Sequence, residues 1–323
     1  MLVLASDFQF SFLWLAEVLV TVLLYTTLAA SLNLVTGFGG MFSLGHHGFF
    51  AVGAYAAGWF VTLFPGLAAG SAPAVGVFLA SALVAVVFAS VAGLLVGVPC
   101  LRLKGDYLAI ATLAFGEIVR IVIQNSPSLG GSLELNVPRL LMRPQGLDEV
   151  QQFRLVFLAV GAVVAGGTLW VIRNLVRSAH GRAIVSVRED EIASELLGVP
   201  VTRYKVRAFV IGAAFAGLAG WYYAHYSGSI APANFDLLVG IKILLIAVLG
   251  GLGSLWGTVL SAAVLIGAER LLQAGVFGEA LKRWMQVEYA LLLILVMLLR
   301  PHGLLGRREA SSRRTPAPAK GAS

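Results

Sequence analysis

Charge is scarce in this chain: 12% of its 323 residues are Asp, Glu, Lys or Arg, while 59% are hydrophobic. Soluble globular domains carry roughly a quarter charged residues, so an ordinary soluble fold is excluded. Cysteine is scarcer still. Cys100 stands alone, which rules out a disulfide framework or a Cys-based zinc site within the chain. No Lys or Arg precedes Arg102, so the basic n-region of a cleavable signal peptide is missing and the first apolar span is expected to remain in the mature protein. Also missing are a G-x-x-x-x-G-K-[ST] loop, an H-E-x-x-H pair and a G-x-S-x-G elbow, which argues against a phosphate cradle and against a membrane enzyme. The sequence pI is about 9.8, yet no soluble basic face exists to meet a nucleic acid.

What the chain has instead is apolar length. Its mean hydropathy is +0.88, and apolar runs longer than about 18 residues recur along it, the mark of a membrane protein. The fold class expected is an all-α polytopic membrane protein of about eight to ten transmembrane helices. Nine candidate spans fall near 12–36, 47–64, 73–99, 106–124, 154–173, 207–227, 237–250, 254–273 and 286–300. The seventh is short for a hydrocarbon core of about 30 Å and suggests a broken or re-entrant helix.

Basic residues set the expected orientation. One side collects Arg102, Lys104, Arg173, Arg177, Arg182, Arg188, Arg203, Lys205, Arg207, Arg300, Arg307, Arg308, Arg313, Arg314 and Lys320. The other holds Arg139, Arg143, Arg154, Arg270, Lys282 and Arg283. Fifteen against six makes the first side cytoplasmic, with the N-terminus outside and the C-terminus inside. Cys100 then sits near the cytosolic surface. The tail over 307–323 is basic and rich in Pro, Ser and Ala, which predicts disorder against anionic lipid.

One polar island, Arg182 to Gly198, interrupts the apolar pattern. Arg188, Glu189, Asp190, Glu191 and Glu195 fall within eight positions there. Behind Asp190, the spacing of Ile192, Leu196 and Leu197 predicts a short amphipathic helix stopped by Gly198 and Pro200. Such a helix cannot lie in hydrocarbon, so it rests at a membrane surface or docks into a soluble partner.

Other motifs are less sharp. Gly37, Gly39, Gly40, Gly45, Gly48 and Gly53 crowd the entry to the second span, and Gly250, Gly251, Gly253 and Gly257 the turn before the eighth. The two clusters echo each other weakly, GGMFSLG at 39–45 against GGLGSLWG at 250–257. Close helix packing is the favoured reading, as for Gly212, Ala216 and Gly220 at four-residue spacing; non-helical backbone lining a pathway is the other. His46 and His47 are adjacent, so on a helix they point about 100° apart and cannot chelate one ion together. Packing or hydrogen bonding is expected of them. Glu117 and Arg120 share a helix face three residues apart. Counting from Asp106 as N-cap, Glu117 lies about 16 Å along its helix, near mid-membrane. A structural ion pair is the favoured reading, a place on the substrate route the other. Lys242, near the outer end of its span, is expected to snorkel.

Several of these segments together resemble a known family. SLNLVTG (31–37), SLGHHGFFAVGAY (43–55), LRLKGDYLAIAT (101–112), GEIVR (116–120), VREDEIASELLG (187–198), AAFAGLAG (213–220), VLGGLGSLWG (248–257) and RPHGLLG (300–306) look like the permease of a branched-chain amino acid ABC importer. The pattern most resembles the larger, M-type permease. The resemblance implies a permease domain over 1–306 and a heteromeric importer: a second permease, two cytosolic ATPases and an extracytoplasmic binding protein. It makes the segment 182–200 a coupling helix, with Arg188, Glu189, Asp190, Glu191, Ala193, Glu195 and Gly198 as its coupling residues. The island departs from the E-A-A-x-x-x-G form of many such permeases, its nearest fit being Glu191, Ala193 and Gly198, one residue out of step. No cofactor is expected in this chain, since ATP would be handled on the ATPase subunits. Relatives of this type are also associated with urea, short amides and other amino acids. A secondary transporter working alone is the alternative of another class, disfavoured by how little charge lies in the spans.

Overall fold

The computed structural model describes residues 2–103, 105–142, 144 and 146–273, and among them it forms ten α-helices. Eight correspond to expected spans: α1 (Leu2–Asn33), α2 (His46–Thr62), α3 (Ala72–Cys100), α4 (Asp106–Gln124), α5 (Leu147–Arg177), α8 (Val201–Ser227), α9 (Leu237–Gly250) and α10 (Leu255–Gln273). Two short helices, α6 (Ala179–Glu189) and α7 (Glu191–Leu196), lie between α5 and α8. Among the described residues, six stretches are long and apolar enough to cross a membrane: Trp14–Phe38, Ala72–Cys100, Asp148–Arg177, Val201–Ser227, Pro232–Gly250 and Leu255–Gln273. The expected ninth span, 286–300, and the tail from 307 lie outside the described residues.

The short seventh span is a broken helix. A 3₁₀ turn over Pro232–Phe235 precedes α9, and Asp236 caps α9 by accepting the Val239 N–H at 3.0 Å. Extended Asp236 satisfies one orphan donor of α9 and breaks the run at that point. Span four begins one residue differently from expectation. Gly105, at φ +57°, is the N-cap of α4, and Asp106 occupies the first turn, where its charge complements the helix dipole.

Small residues hold the centre. Ser81, Ala85, Ala89, Gly93 and Gly97 form a buried stripe on α3 at four-residue spacing. It faces α8, with Gly93 against Ala213 and Gly217 against Ala85 and Ala89. On α8, Gly212 meets Val35 in the π-helical segment that follows α1, and Gly220 meets the Phe50 and Ala54 backbone of α2. In lipid no hydrophobic drive pulls helices together, so close backbone approach through small residues supplies the attraction. The packing reading of Gly212, Ala216 and Gly220 holds. Leu79, Leu83, Val87 and Leu95, on the opposite face of α3, are 56–70% exposed, as a lipid-facing surface requires.

The turns sort to two ends of the bundle. At one end, β1 (Leu135–Asn136) pairs antiparallel with β2 (Ser229–Ile230), and Leu140 accepts the Gly70 N–H at 2.9 Å. At the other end, a π-helical segment (Leu34–Phe38) closing α1 meets the α9–α10 turn and the α6 helix.

Candidate functional site

The polar island folds as two helices hinged at Asp190. Asp190 is extended (φ −153°, ψ 110°) and accepts the Ala193 N–H at 2.9 Å, capping α7. Gly198 ends it with φ +81°, a left-handed geometry that costs an L-residue roughly 1–2 kcal/mol. Ile184 and Val187 bury α6 against the bundle. The expected apolar face of α7 points outward: Ile192 is 71% exposed and Leu196 and Leu197 each 84%. Glu189, Asp190, Ala193 and Glu195 are exposed beside it. Glu191 is instead held inward by Lys205 of α8, Nζ to Oε2 at 2.7 Å. Fourteen residues of separation hide that pair from local periodicity.

Arg188 is the island residue that reaches the end of α1 and the α9–α10 turn. Its Nη1 donates to the Gly37 carbonyl at 2.8 Å, within the π-helical end of α1. Its stem covers Gly40, where an added Cβ would lie 2.8 Å from Arg188 Cγ, and its guanidinium tip lies near Gly253. The two echoing glycine turns are therefore brought to one guanidinium. Asn33, fully buried, ties the same region together. Its Oδ1 accepts the Gly253 N–H at 2.8 Å, while its Nδ2 donates to Thr258 Oγ1 at 2.8 Å and to the Ser254 carbonyl at 3.2 Å. Gly253, at φ +86°, and Gly40, at φ +66°, give the turns their shape.

The expected Glu117–Arg120 pair is present on α4. Arg120 donates through Nε and Nη2 to Glu117 Oε2, both at 2.8 Å, and both side chains are a little over a quarter exposed. A third group joins them. His47 Nε2 lies 3.8 Å from Glu117 Oε1 and, fully buried, has no hydrogen-bond partner. Its Nδ1 faces the Leu44 carbonyl at 3.1 Å, an acceptor, so Nδ1 carries the proton in the neutral ring. Nε2 then presents a lone pair toward a carboxylate oxygen. Gly116 makes this approach possible, since any Cβ there would enter the His47 ring. His46 turns the other way, 2.7 Å from Ser31 Oγ of α1. Ser31 Oγ already donates to the Leu28 carbonyl at 2.8 Å, so His46 Nε2 is the donor. The two imidazoles thus serve different helix contacts.

Lys242 does not snorkel. Its Nζ bonds both oxygens of Glu269 on α10, at 2.9 and 3.1 Å, over the Tyr25 ring at 5.2 Å. Lys242 is 15% and Glu269 9% exposed. An intramembrane partner within reach outweighs the pull of the interface. Nearby, Glu17 of α1 accepts from Arg270 at 3.2 Å and pairs with Arg154 at 3.3 Å. Glu17, Glu269 and Arg270 escaped the sequence reading because their partners are remote in the chain. A single ionisable residue inside an apolar run was the available signal.

A family model described as branched-chain amino acid transport system / permease component matches residues 14–300. The permease protein LivM of the high-affinity branched-chain amino acid transport system of Salmonella typhimurium is 37% identical over 306 residues, covering 88% of this chain and 68% of that protein. The corresponding BraD of Pseudomonas aeruginosa is 32% identical over 296 residues, covering 88% and 92%. LivH of Escherichia coli is 33% identical over 199 residues, covering 58% and 61%. No solved structure matches. A family match over nearly the whole chain and relatives more than 30% identical over 88% of it agree: this protein belongs to the family of permease components of branched-chain amino acid transport systems.

Proposed function

We propose that the chain is the membrane-spanning subunit of an ATP-driven, binding-protein-dependent importer of branched-chain amino acids. It forms the translocation path with a second permease. The likeness to both LivM and LivH, two permease proteins of one kind of transport system, supports a heteromeric pair. ATP is hydrolysed on two cytosolic ATPase subunits, and an extracytoplasmic binding protein delivers the amino acid. The N-terminus lies outside, and the island and the C-terminal tail lie in the cytosol, as the basic-residue asymmetry requires.

One observation carries the coupling role. Ile192, Leu196 and Leu197 form an exposed apolar knob on α7, at the end of the bundle and on a polar segment. In this chain alone the knob is left in water, and a groove on a soluble partner would cover it as an amphipathic helix is covered. Its hinge at Asp190 and the Arg188 contact to Gly37 supply a mechanical path from that partner into α1 and the α9–α10 turn. Glu117, Arg120 and His47 belong to the interior of this path or brace it.

The test is uptake into proteoliposomes holding the chain with its second permease and ATPases, driven by binding protein and ATP. Leucine, isoleucine and valine should accumulate only with ATP inside. Transport by this chain alone without ATPases would reject the reading in favour of a secondary transporter. Uptake of urea or acetamide in place of leucine would reject the substrate class.

A further inference from the structure

A cavity of about 420 Å³ opens in the half of the bundle remote from Arg188, between α1, α8, α9, α10 and the 3₁₀ turn before α9. That volume falls within the range of small-molecule sites, about 300–1,000 Å³. Its lining includes the apolar side chains of Val20, Leu24, Phe50, Leu238 and Val239. It also includes Asp236, Lys242, Glu269 and Arg270, together with Tyr25. Both signs of charge therefore meet hydrocarbon in a single chamber.

We propose that this cavity is a binding station for a zwitterionic α-amino acid with an aliphatic side chain, an inference that rests on the importer reading above. The network lining it is built in opposite-sign pairs: Lys242 with Glu269 at 2.9 Å and Arg270 with Glu17 at 3.2 Å. A zwitterion brings one charge of each sign and adds no net charge. Its carboxylate takes the ammonium or guanidinium of Lys242 or Arg270, and its ammonium takes Glu269 or Asp236. Lys242, Glu269 and Arg270 each have a charged partner to exchange for one on the ligand, which avoids leaving a buried charge bare. A cation or an anion would break that balance. The aliphatic lining residues receive the side chain and displace water from it. Tyr25 adds a hydroxyl with no hydrogen bond among the described residues, beside a ring that already steadies Lys242 from 5.2 Å. Ionisable groups within membrane spans are costly unless paired, and they commonly mark a substrate route.

The competing role is a lock that staples α1, α9 and α10. Two variants separate the roles, both in the complete transporter with saturating binding protein. Leu238→Trp narrows the cavity from its rim, where the side chain is 45% exposed and its loss removes no ion pair. Assembly and basal ATP hydrolysis should stay normal, while leucine uptake falls about tenfold and the valine-to-leucine ratio rises. The charge-swapped double variant Lys242→Glu with Glu269→Lys keeps the pair but reverses its polarity against Asp236 and Arg270. A station loses uptake in the assembled double variant, whereas a lock regains it. Leucine uptake at the parent rate and ratio in assembled Leu238→Trp overturns the proposal, whatever the double variant does. Absence of leucine and valine uptake by the unaltered complex instead sinks the importer reading.

Discussion

Arg188 of α6 donates from Nη1 to the carbonyl of Gly37, 2.8 Å away and 151 residues earlier in the chain. The acceptor lies in the π-helical end of α1, where the i→i+4 ladder has already lost its regular partner. Arg188→Ala leaves that carbonyl without its charged donor, a loss of about 1.5–3 kcal/mol. The variant should still insert, but binding-protein-stimulated ATP hydrolysis should no longer yield uptake. A coupling ratio equal to the parent's would show that the contact transmits nothing.

The α7 knob makes a second prediction. Replacing Leu196 and Leu197 by Ser removes apolar surface that is 84% exposed in this chain, so the isolated permease should be as stable or more soluble. Copurification of the ATPases should fall. Glu191→Lys sets an ammonium against Lys205, replacing the 2.7 Å pair with repulsion, and should tilt α7 and abolish uptake. A bulky residue at Ala193 should do the same by blocking the groove. Normal ATPase binding in these variants would reject the docking face.

Glu117 offers a sharper choice. Glu117→Gln strands the Arg120 guanidinium at membrane depth, costing toward the low end of about 3–5 kcal/mol because both groups are partly exposed. If the pair is a brace, complex yield should drop and the double neutral variant Glu117→Gln with Arg120→Gln should recover much of it. If Glu117 lines the route, assembly should persist and uptake alone should fall. Gln also brings an amide N–H that His47 Nε2 can accept, so Glu117→Gln should lose less stability than Glu117→Ala. Equal thermal stability of the two would remove His47 from the account.

Asn33 ties α1 to the α9–α10 turn through Gly253, Ser254 and Thr258. Asn33→Leu is similar in volume but leaves the Gly253 N–H and Thr258 Oγ1 without this partner, at about 1–3 kcal/mol each. Detergent melting should fall by several degrees and uptake with it. An unchanged melting curve would mean that the turn is held elsewhere.

Topology can be read through the only thiol. Cys100 closes α3 at the same end of the bundle as the Arg188 turn. A membrane-permeant maleimide applied to whole cells should label it, and an impermeant one should not. Labelling from outside, or a reporter fused after residue 190 that is active only outside the cytosol, would invert the orientation.

The spans were legible in the sequence because hydrocarbon imposes a local rule: about 20 apolar residues, helical, with every backbone group satisfied inside the segment. The short helix behind Asp190, its stop at Gly198 and its apolar face of Ile192, Leu196 and Leu197 were legible for the same reason, since stop signals and periodicity act within a turn or two. The Glu117–Arg120 contact was legible at three-residue spacing. Only the tertiary structure decided which remote groups meet. Arg270 finds Glu17 across 253 residues, Asn33 finds Gly253 across 220, and Lys242 finds Glu269 rather than the interface. His47 of α2 stands against Glu117 because α4 and α9 close on its ring through Gly116 and Gly240, and no periodicity in one helix encodes the register of another. Sequence-local forces made the helices, and close packing of small residues chose their neighbours.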